Sequence, residues 1–82
     1  MDQCLLQDDY NIGNNLRKLR IKANLTQQEV ATKLEIMGIP MSREIYAQIE
    51  SGRHHIKYRV FIGLKEIFNA TYEDMLEGTR LS

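Results

Sequence analysis

The sequence predicts a small all-α domain built from five short helices. Three stretches begin with a residue that can cap a helix N-terminus, at Thr26, Ser42 and Thr71, and apolar residues then recur three or four positions apart. The chain has 82 residues, of which 43% are hydrophobic, enough for one domain with a modest core. We therefore expect one helical unit over residues 12–78, preceded by a lead-in at 1–11 and followed by a tail at 79–82.

The first helix is indicated by four apolar residues at helical spacing, which are Ile12, Leu16, Leu19 and Ala23. Asp9 or Asn11 can cap its start. The basic residues of this segment fall on the opposite, wet side of the helix; they are Arg17, Lys18 and Lys22. The lead-in before it is acidic, which favours a protein contact over a phosphate contact for residues 1–11.

The second helix opens with a capping box, because Thr26 is followed three residues later by Glu29. In this arrangement the hydroxyl and the carboxylate satisfy two backbone amides that otherwise lack partners. Val30, Ala31 and Leu34 then share one face, so the helix is expected to run from Gln27 to about Leu34 or beyond. Residues 35–41 are more apolar than a plain surface loop and either extend the core or lie against a partner subunit.

The third helix is separated from the second by an interruption at Gly38 to Pro40, since proline disfavours helical geometry at the residue before it. Ser42 can cap the new helix. Tyr46 and Ile49 would then point inward, and Gly52 stands where a left-handed backbone commonly closes a helix.

The outward face of this third helix carries small and bidentate polar side chains, namely Arg43, Glu44, Ala47, Gln48 and Ser51. Such a face suits the reading of base edges in a major groove. Arg43 can fork onto guanine or hold a phosphate, and Gln48 can bond adenine. Glu44 can accept from the cytosine amino group, and Ala47 can touch a thymine methyl. Taken alone, a solvated face of mixed charge explains the same residues.

A fourth helix is predicted by a wide apolar band that comprises Tyr58, Phe61, Leu64 and Phe68, with Ile62 and Ile67 beside it. This helix would close the core over the first three. Thr71 with Asp74 caps a short fifth helix that runs through Leu76, and Gly78 ends it.

Four segments with this order and spacing resemble the helix-turn-helix of the Cro and phage-repressor type, a large family of DNA-binding regulators also called xenobiotic-response-element-like. They are Leu16-Arg17-Lys18-Leu19-Arg20, Leu25-Thr26-Gln27-Gln28-Glu29-Val30-Ala31, Ile49-Glu50-Ser51-Gly52 and Thr71-Tyr72-Glu73-Asp74-Met75-Leu76. The resemblance covers Ile12 to Gly78 and implies a five-helix domain like that of lambda repressor. The turn at residues 35–41 is longer than the family's usual tight turn.

The resemblance implies DNA-contact and structural roles for particular residues. Gln27 matches a residue that holds a backbone phosphate, and a solvated surface glutamine is the alternative. Three further phosphate candidates are Ser42, Arg53 and Lys57, of which the last two follow the recognition helix where the family's loop lies on the DNA backbone. Arg20 and Glu50 match a partly buried ion pair that ties the first helix to the recognition helix.

The resemblance also implies a homodimer. In the resembling repressors the last helix and the loop before it carry the dimer contact, so the candidate contact residues here are Phe68, Ala70, Tyr72, Met75 and Leu76. A stripe of this kind equally fits a role in the core, and the sequence leaves both interpretations open.

Composition excludes several other classes of protein. The net charge is zero, which argues against a nonspecific coat on nucleic acid. Cys4 is the single cysteine and no signal-peptide or membrane-spanning run is present, which points to a reducing, cytoplasmic setting. His54 and His55 without a third ligand make a poor zinc site, so we expect no metal and no cofactor. The sequence also lacks a nucleophile with a matched base, so we expect no enzyme activity.

Two functions remain after these exclusions. The first is a sequence-specific DNA-binding transcriptional regulator, a repressor by resemblance, that acts as a dimer on double-stranded DNA at an inverted repeat. The second is a protein-interaction module of the same fold, antitoxin-like or an adaptor, with little or no DNA binding. Gln27, Arg43 and Gln48 favour the first function. The zero net charge, Glu44 on the reading face and the long turn favour the second.

Overall fold

Five helices make up most of the computed structural model, which describes residues 9–78. They are α1 (Asp9–Lys22), α2 (Gln27–Ile36), α3 (Arg43–Glu50), α4 (Tyr58–Phe68) and α5 (Tyr72–Leu76). The predicted all-α fold class is thus confirmed, and α1 begins three residues earlier than its apolar spacing indicated. Cys4, most of the predicted lead-in and the tail at 79–82 lie outside the described residues.

The helix caps form largely as the sequence predicts. Thr26 Oγ1 accepts from the amide of Glu29 at 3.0 Å, and Glu29 Oε1 accepts from the amide of Thr26 at 2.8 Å. Thr71 and Asp74 form the same reciprocal pair at the start of α5. Hydrogen bonds from Thr71, its backbone amide first, lower the pKa of Asp74. The cap predicted for α1 was wrong, because the helix already includes Asp9 and Asn11.

Three helices are followed by a glycine with a left-handed backbone, namely α2 by Gly38, α3 by Gly52 and α5 by Gly78, which has φ +78°. Gly38 has φ +86°, and its amide donates to the carbonyl of Glu35 while the amide of Ile39 donates to the carbonyl of Leu34, both at 2.9 Å. This pair of bonds satisfies the last carbonyls of α2 and stops the helix before Pro40 is reached. Gly52, with φ +78°, closes α3 as predicted.

The long turn between α2 and α3 is divided between core and surface. Ile39 and Met41 are buried, whereas Pro40 is exposed. Ile36, at the end of α2, is 80% exposed and Met37 is 40% exposed. The turn therefore extends the core with two side chains and leaves two other apolar side chains in solvent.

The core lies where the five helices meet, with α1 packed against α3 and α5, and α2 packed against α3 and α4. Its largest fully buried side chains are Tyr46, Ile12, Leu16, Leu34, Ile49, Ile56, Leu64, Met75 and Val30. Two residues predicted on apolar faces are instead exposed, because Ala23 follows the end of α1 and Tyr58 stands at the first position of α4. Val60, which the predicted band omits, is buried on α4.

The amide of Asn15 fixes the end of α5 against α1. Its Nδ2 donates to the carbonyl of Met75 at 3.0 Å and to the carbonyl of Glu77 at 2.6 Å. These are carbonyls at the C-terminus of a helix, which have no partner within the helix. A five-residue helix is marginal by itself, so this side chain helps to keep α5 in place.

None of the five helices between residues 9 and 78 combines the length and the apolar composition that a membrane span needs. At Gly13 the backbone of α1 lies against the end of α3. A Cβ added at Gly13 would lie 2.3 Å from the carbonyl oxygen of Ile49 and 2.6 Å from that of Glu50. The absence of a side chain at Gly13 thus lets α1 rest directly on the recognition helix.

Replacing Gly13 with alanine should destabilise the protein by about 1–3 kcal/mol, because the new methyl group meets backbone that cannot move aside. Gly63→Ala is the matched control. This variant gains the same helix propensity as Gly13→Ala. Its new Cβ, however, would meet only the ends of side chains, and the two nearest atoms are Ile39 Cδ1 at 2.9 Å and Leu34 Cδ2 at 3.0 Å. Urea unfolding of both variants measures the difference. Equal stability of the two variants would contradict the close contact between Gly13 and the carbonyl groups at the end of α3.

Candidate nucleic-acid interface

The recognition helix α3 is set by local signals and by two buried side chains. Ser42 Oγ accepts from the amide of Ile45 at 3.1 Å and starts the helix. Tyr46 and Ile49 are fully buried and fix its rotation. The opposite face then carries the residues that the sequence singled out, with Arg43, Glu44, Gln48 and Ser51 exposed and Ala47 half-buried.

The polar side chains at the start of this face are available to a ligand. Arg43 Nη2 lies 3.9 Å from Glu44 Oε2, and the two side chains are 51% and 73% exposed. An exposed ion pair at this distance contributes little to stability, so either side chain can leave it to bind a ligand. Ile45 is also partly exposed beside them. Sequence reasoning omitted it, since an apolar residue next to a core tyrosine gives no signal of its own.

The carboxylate of Glu50 is the buried centre behind this face. Arg20 Nε donates to Oε2 at 2.7 Å and Nη2 to Oε1 at 3.3 Å, and the Glu50 side chain is only 3% exposed. Arg20 Nη1 also donates to the carbonyl of Leu25 at 2.9 Å. The hydrogen bond with Glu50 raises the pKa of Arg20, so the guanidinium stays charged. The structure thus brings together the two residues that the resemblance paired.

The side chain of Gln27 has a partner that the sequence did not indicate. Its Nε2 donates to Glu50 Oε1 at 3.0 Å, which ties the first turn of α2 to the same carboxylate. The side chain is half-buried and is not the free surface glutamine of the alternative interpretation. Its oxygen and second N–H, together with the first amides of α2, remain as the groups that can meet a phosphate.

The hydroxyl of Tyr46 lies in the core close to this network. No described residue accepts or donates a hydrogen bond to it within ordinary geometry. Burial raises the pKa of Tyr46, and the neighbouring Glu50 carboxylate raises it further. The phenol therefore stays neutral, and its ring fills the core beside the Glu50 carboxylate.

The loop after α3 presents cations at the surface. Arg53 and Lys57 are both exposed, and Lys57 directly precedes α4. His54 Nδ1 lies 2.9 Å from the carbonyl oxygen of His55. Among residues 9–78, no group of three His, Cys, Asp or Glu side chains is placed to share a metal ion. The loop thus offers positive charge where the resemblance places the DNA backbone.

A polar concavity of about 420 Å³ adjoins the reading face. It is lined by Asn14, Arg17, Gln27, Ala47, Glu50 and Ser51, from α1, α2 and the end of α3. Ala47 and Ser51 belong to the outward face of α3. No sequence pattern groups Asn14 or Arg17 with them, because residues this distant meet only through helix packing.

Most of the candidate dimer residues lie at the surface of α4 and α5. Tyr72 is 48% exposed, stacks on Phe61 with ring centroids 6.0 Å apart, and has Lys65 Nζ at 4.8 Å from its centroid. Phe68, Ala70 and Leu76 are half-buried. Met75 was a wrong candidate, because it is fully buried where α5 packs on α1 and cannot reach a second subunit.

These features define a helix-turn-helix domain with an exposed recognition helix, and the comparisons agree. A family model described as a helix-turn-helix domain matches residues 13–81, so the chain belongs to that family, of the Cro and phage-repressor type that the sequence resembles. The fold is shared with a crystal structure of the restriction-modification controller protein C.AhdI from Aeromonas hydrophila. The TM-score is 0.71 and the identity 19%, over 83% of this chain and 96% of that one. No curated protein sequence matches the chain.

Replacing Glu50 with alanine should cost about 3–5 kcal/mol of stability, because it leaves the Arg20 charge buried without its partner. Glu44→Ala, six residues earlier on the exposed face of α3, is the control and should change stability by no more than about 0.5 kcal/mol. Urea denaturation followed by circular dichroism measures both. Similar losses of stability in the two variants would contradict the inference that Glu50 is the buried partner of Arg20.

Tyr46→Phe should leave stability within about 1 kcal/mol of the wild type or raise it, because the lost hydroxyl has no hydrogen-bond partner. Tyr46→Ala should cost about 3–5 kcal/mol, since it also opens a cavity. Thermal and urea unfolding of the two variants separate the contribution of the ring to stability from that of the hydroxyl. A loss of about 2 kcal/mol or more in Tyr46→Phe would reveal a buried hydrogen bond, with Glu50 as the acceptor.

Proposed function

We propose that the protein is a sequence-specific DNA-binding regulator of transcription that inserts α3 into the major groove. The observation that carries this proposal is the recognition helix itself: its inward side is locked by Tyr46, Ile49 and Glu50, and its outward side is exposed and polar. A rigid helix with free bidentate side chains is what direct readout of base edges needs.

The contacts divide into base reading and backbone positioning. Arg43, Glu44, Ala47 and Gln48 are the base-reading residues in this proposal, as donors, acceptors and an apolar contact. Gln27, Ser42, Arg53 and Lys57 face the backbone, at the start of α2, the start of α3 and the loop after it. Phosphate contacts on both sides of α3 would fix its register while its own side chains specify the sequence.

A homodimer on an inverted repeat follows from the size of the reading face. One short helix contacts few base pairs, and two copies related by a twofold axis read two half-sites about one helical turn apart. The exposed ring of Tyr72 and the half-buried Phe68, Ala70 and Leu76 are the proposed dimer contact. Repression is the proposed outcome, by occupation of the operator. A DNA ligand agrees with the cytoplasmic setting that the sequence predicted.

A second candidate function rests on a different surface. A groove of about 330 Å³ between the end of α2 and α4 is lined mostly by apolar groups. Tyr58 lines this groove and is exposed, and the exposed Ile36 directly precedes Met37, another lining residue. No residue of α3 lines it. Apolar surface of this kind favours contact with a protein. This observation keeps the protein-interaction module as the alternative.

The deciding experiment selects binding sites from random-sequence DNA at two salt concentrations. The wild type should enrich an inverted repeat, and Arg43→Ala with Gln48→Ala should bind that repeat roughly 30-fold more weakly or worse, since two base contacts of at least 1 kcal/mol each are lost. Lys33→Ala with Glu35→Ala, which changes two exposed residues of α2, is the control and should keep the selected sequence.

The absence of any enriched sequence at low salt, with a folded wild-type protein, would contradict specific DNA recognition. It would favour the interaction module instead. An enriched repeat that the double variant binds equally well would keep DNA binding but remove the role of α3.

A further inference from the structure

We propose that α1, which lies outside the helix-turn-helix, supplies a DNA phosphate contact through Arg17 and Asn14. This inference rests on the proposed function and adds a positioning element to it. Its basis is the 420 Å³ concavity, where these two side chains form one wall and the recognition helix forms another. The sequence placed Arg17 on the wet side of α1 and assigned it no ligand.

The position of the concavity points to the DNA backbone. Ala47 and Ser51 line it and also belong to the outward face of α3, while Gln27 lines it at the start of α2. When a recognition helix lies in the major groove, a sugar-phosphate strand passes along its flank. The concavity occupies such a flank, so a backbone phosphate is the group that would enter it.

The charges of the lining fit an anion. Glu50 contributes a negative charge, but Arg20 and Gln27 already use both of its oxygens, and the Arg20 charge compensates it. Arg17 is exposed, and no acidic side chain among residues 11–78 forms an ion pair with it. Within this part of the chain its guanidinium therefore adds a positive charge at the opening.

The chemistry of the two side chains suits a phosphate oxygen. A guanidinium can place two parallel N–H groups on a phosphate, and an amide can add a third donor. Asn14 stands three residues before Arg17, so the two side chains lie on the same face of α1 and converge on one opening. Their contact carries no sequence information and would fix the register of α3 in the groove.

The test measures DNA affinity as a function of salt for the wild type, Arg17→Gln, Arg17→Lys and Lys18→Gln, first with a mixed-sequence DNA duplex. Arg17→Gln should lower the slope of log affinity against log salt by about one for each bound subunit, and so by about two for the proposed dimer. Its defect should therefore shrink roughly tenfold between 50 and 200 mM salt. Arg17→Lys should restore most of the slope. Lys18→Gln changes an exposed cation of the same helix that does not line the concavity, and it should leave the slope unchanged.

A second measurement locates the contact. On the selected inverted repeat, single neutral methylphosphonates replace each backbone phosphate in turn. One position in each half-site should weaken the wild type but not Arg17→Gln, and Asn14→Ala should show partial coupling to the same position. Urea unfolding should be unchanged in all these variants, because the replaced side chains are exposed.

The outcomes separate this inference from the function on which it rests. If the wild type binds DNA and Arg17→Gln keeps the same slope, or if Lys18→Gln lowers it equally, the α1 contact is wrong while the DNA-binding function stands. If the folded wild type enriches no sequence from random DNA and also fails to bind the mixed-sequence duplex at low salt, both are overturned.

Discussion

The buried carboxylate of Glu50 is the group on which the arrangement of the domain depends. It accepts hydrogen bonds from Arg20 of α1 and from Gln27 of α2 while standing on α3. A charge taken out of water is costly unless it is paired and hydrogen-bonded, so only one relative placement of these three helices satisfies it. A hydrophobic contact would allow sliding, whereas these directional bonds fix the position of α3.

The apolar packing around this group reinforces the same geometry from the other side. Tyr46 and Ile49 anchor α3 in the core, and the bare backbone of Gly13 lets α1 touch the carbonyls at the end of α3. The exposed half of α3 is left with no structural task. The residues that stabilise α3 thus lie on its inward face, and the outward residues can vary without loss of stability, as the proposed reading of DNA requires.

The zero net charge of the chain explains why we expect its phosphate contacts to be spread over several separate residues. With no net charge, the protein cannot rely on a general attraction to the backbone, so each phosphate contact must be placed individually. Three exposed cations are the proposed local contacts, with Arg17 on α1 and Arg53 and Lys57 in the loop after α3. In the proposed complex their contacts to the backbone would orient α3 without affecting which bases it reads.

The order of the helices, the caps of α2, α3 and α5 and the inward faces of α2 and α3 were predictable from local patterns, because capping and helical periodicity act between residues a few positions apart. Thr26 with Glu29 and Thr71 with Asp74 are such local pairs. The family resemblance also predicted the ion pair between Arg20 and Glu50. Other features depend on how the helices pack: Met75 is buried, Asn15 holds the end of α5, Gln27 bonds Glu50, and Asn14 and Arg17 share a concavity with α3. These relations join residues far apart in the chain, and they depend on how the helices pack, which no local pattern specifies.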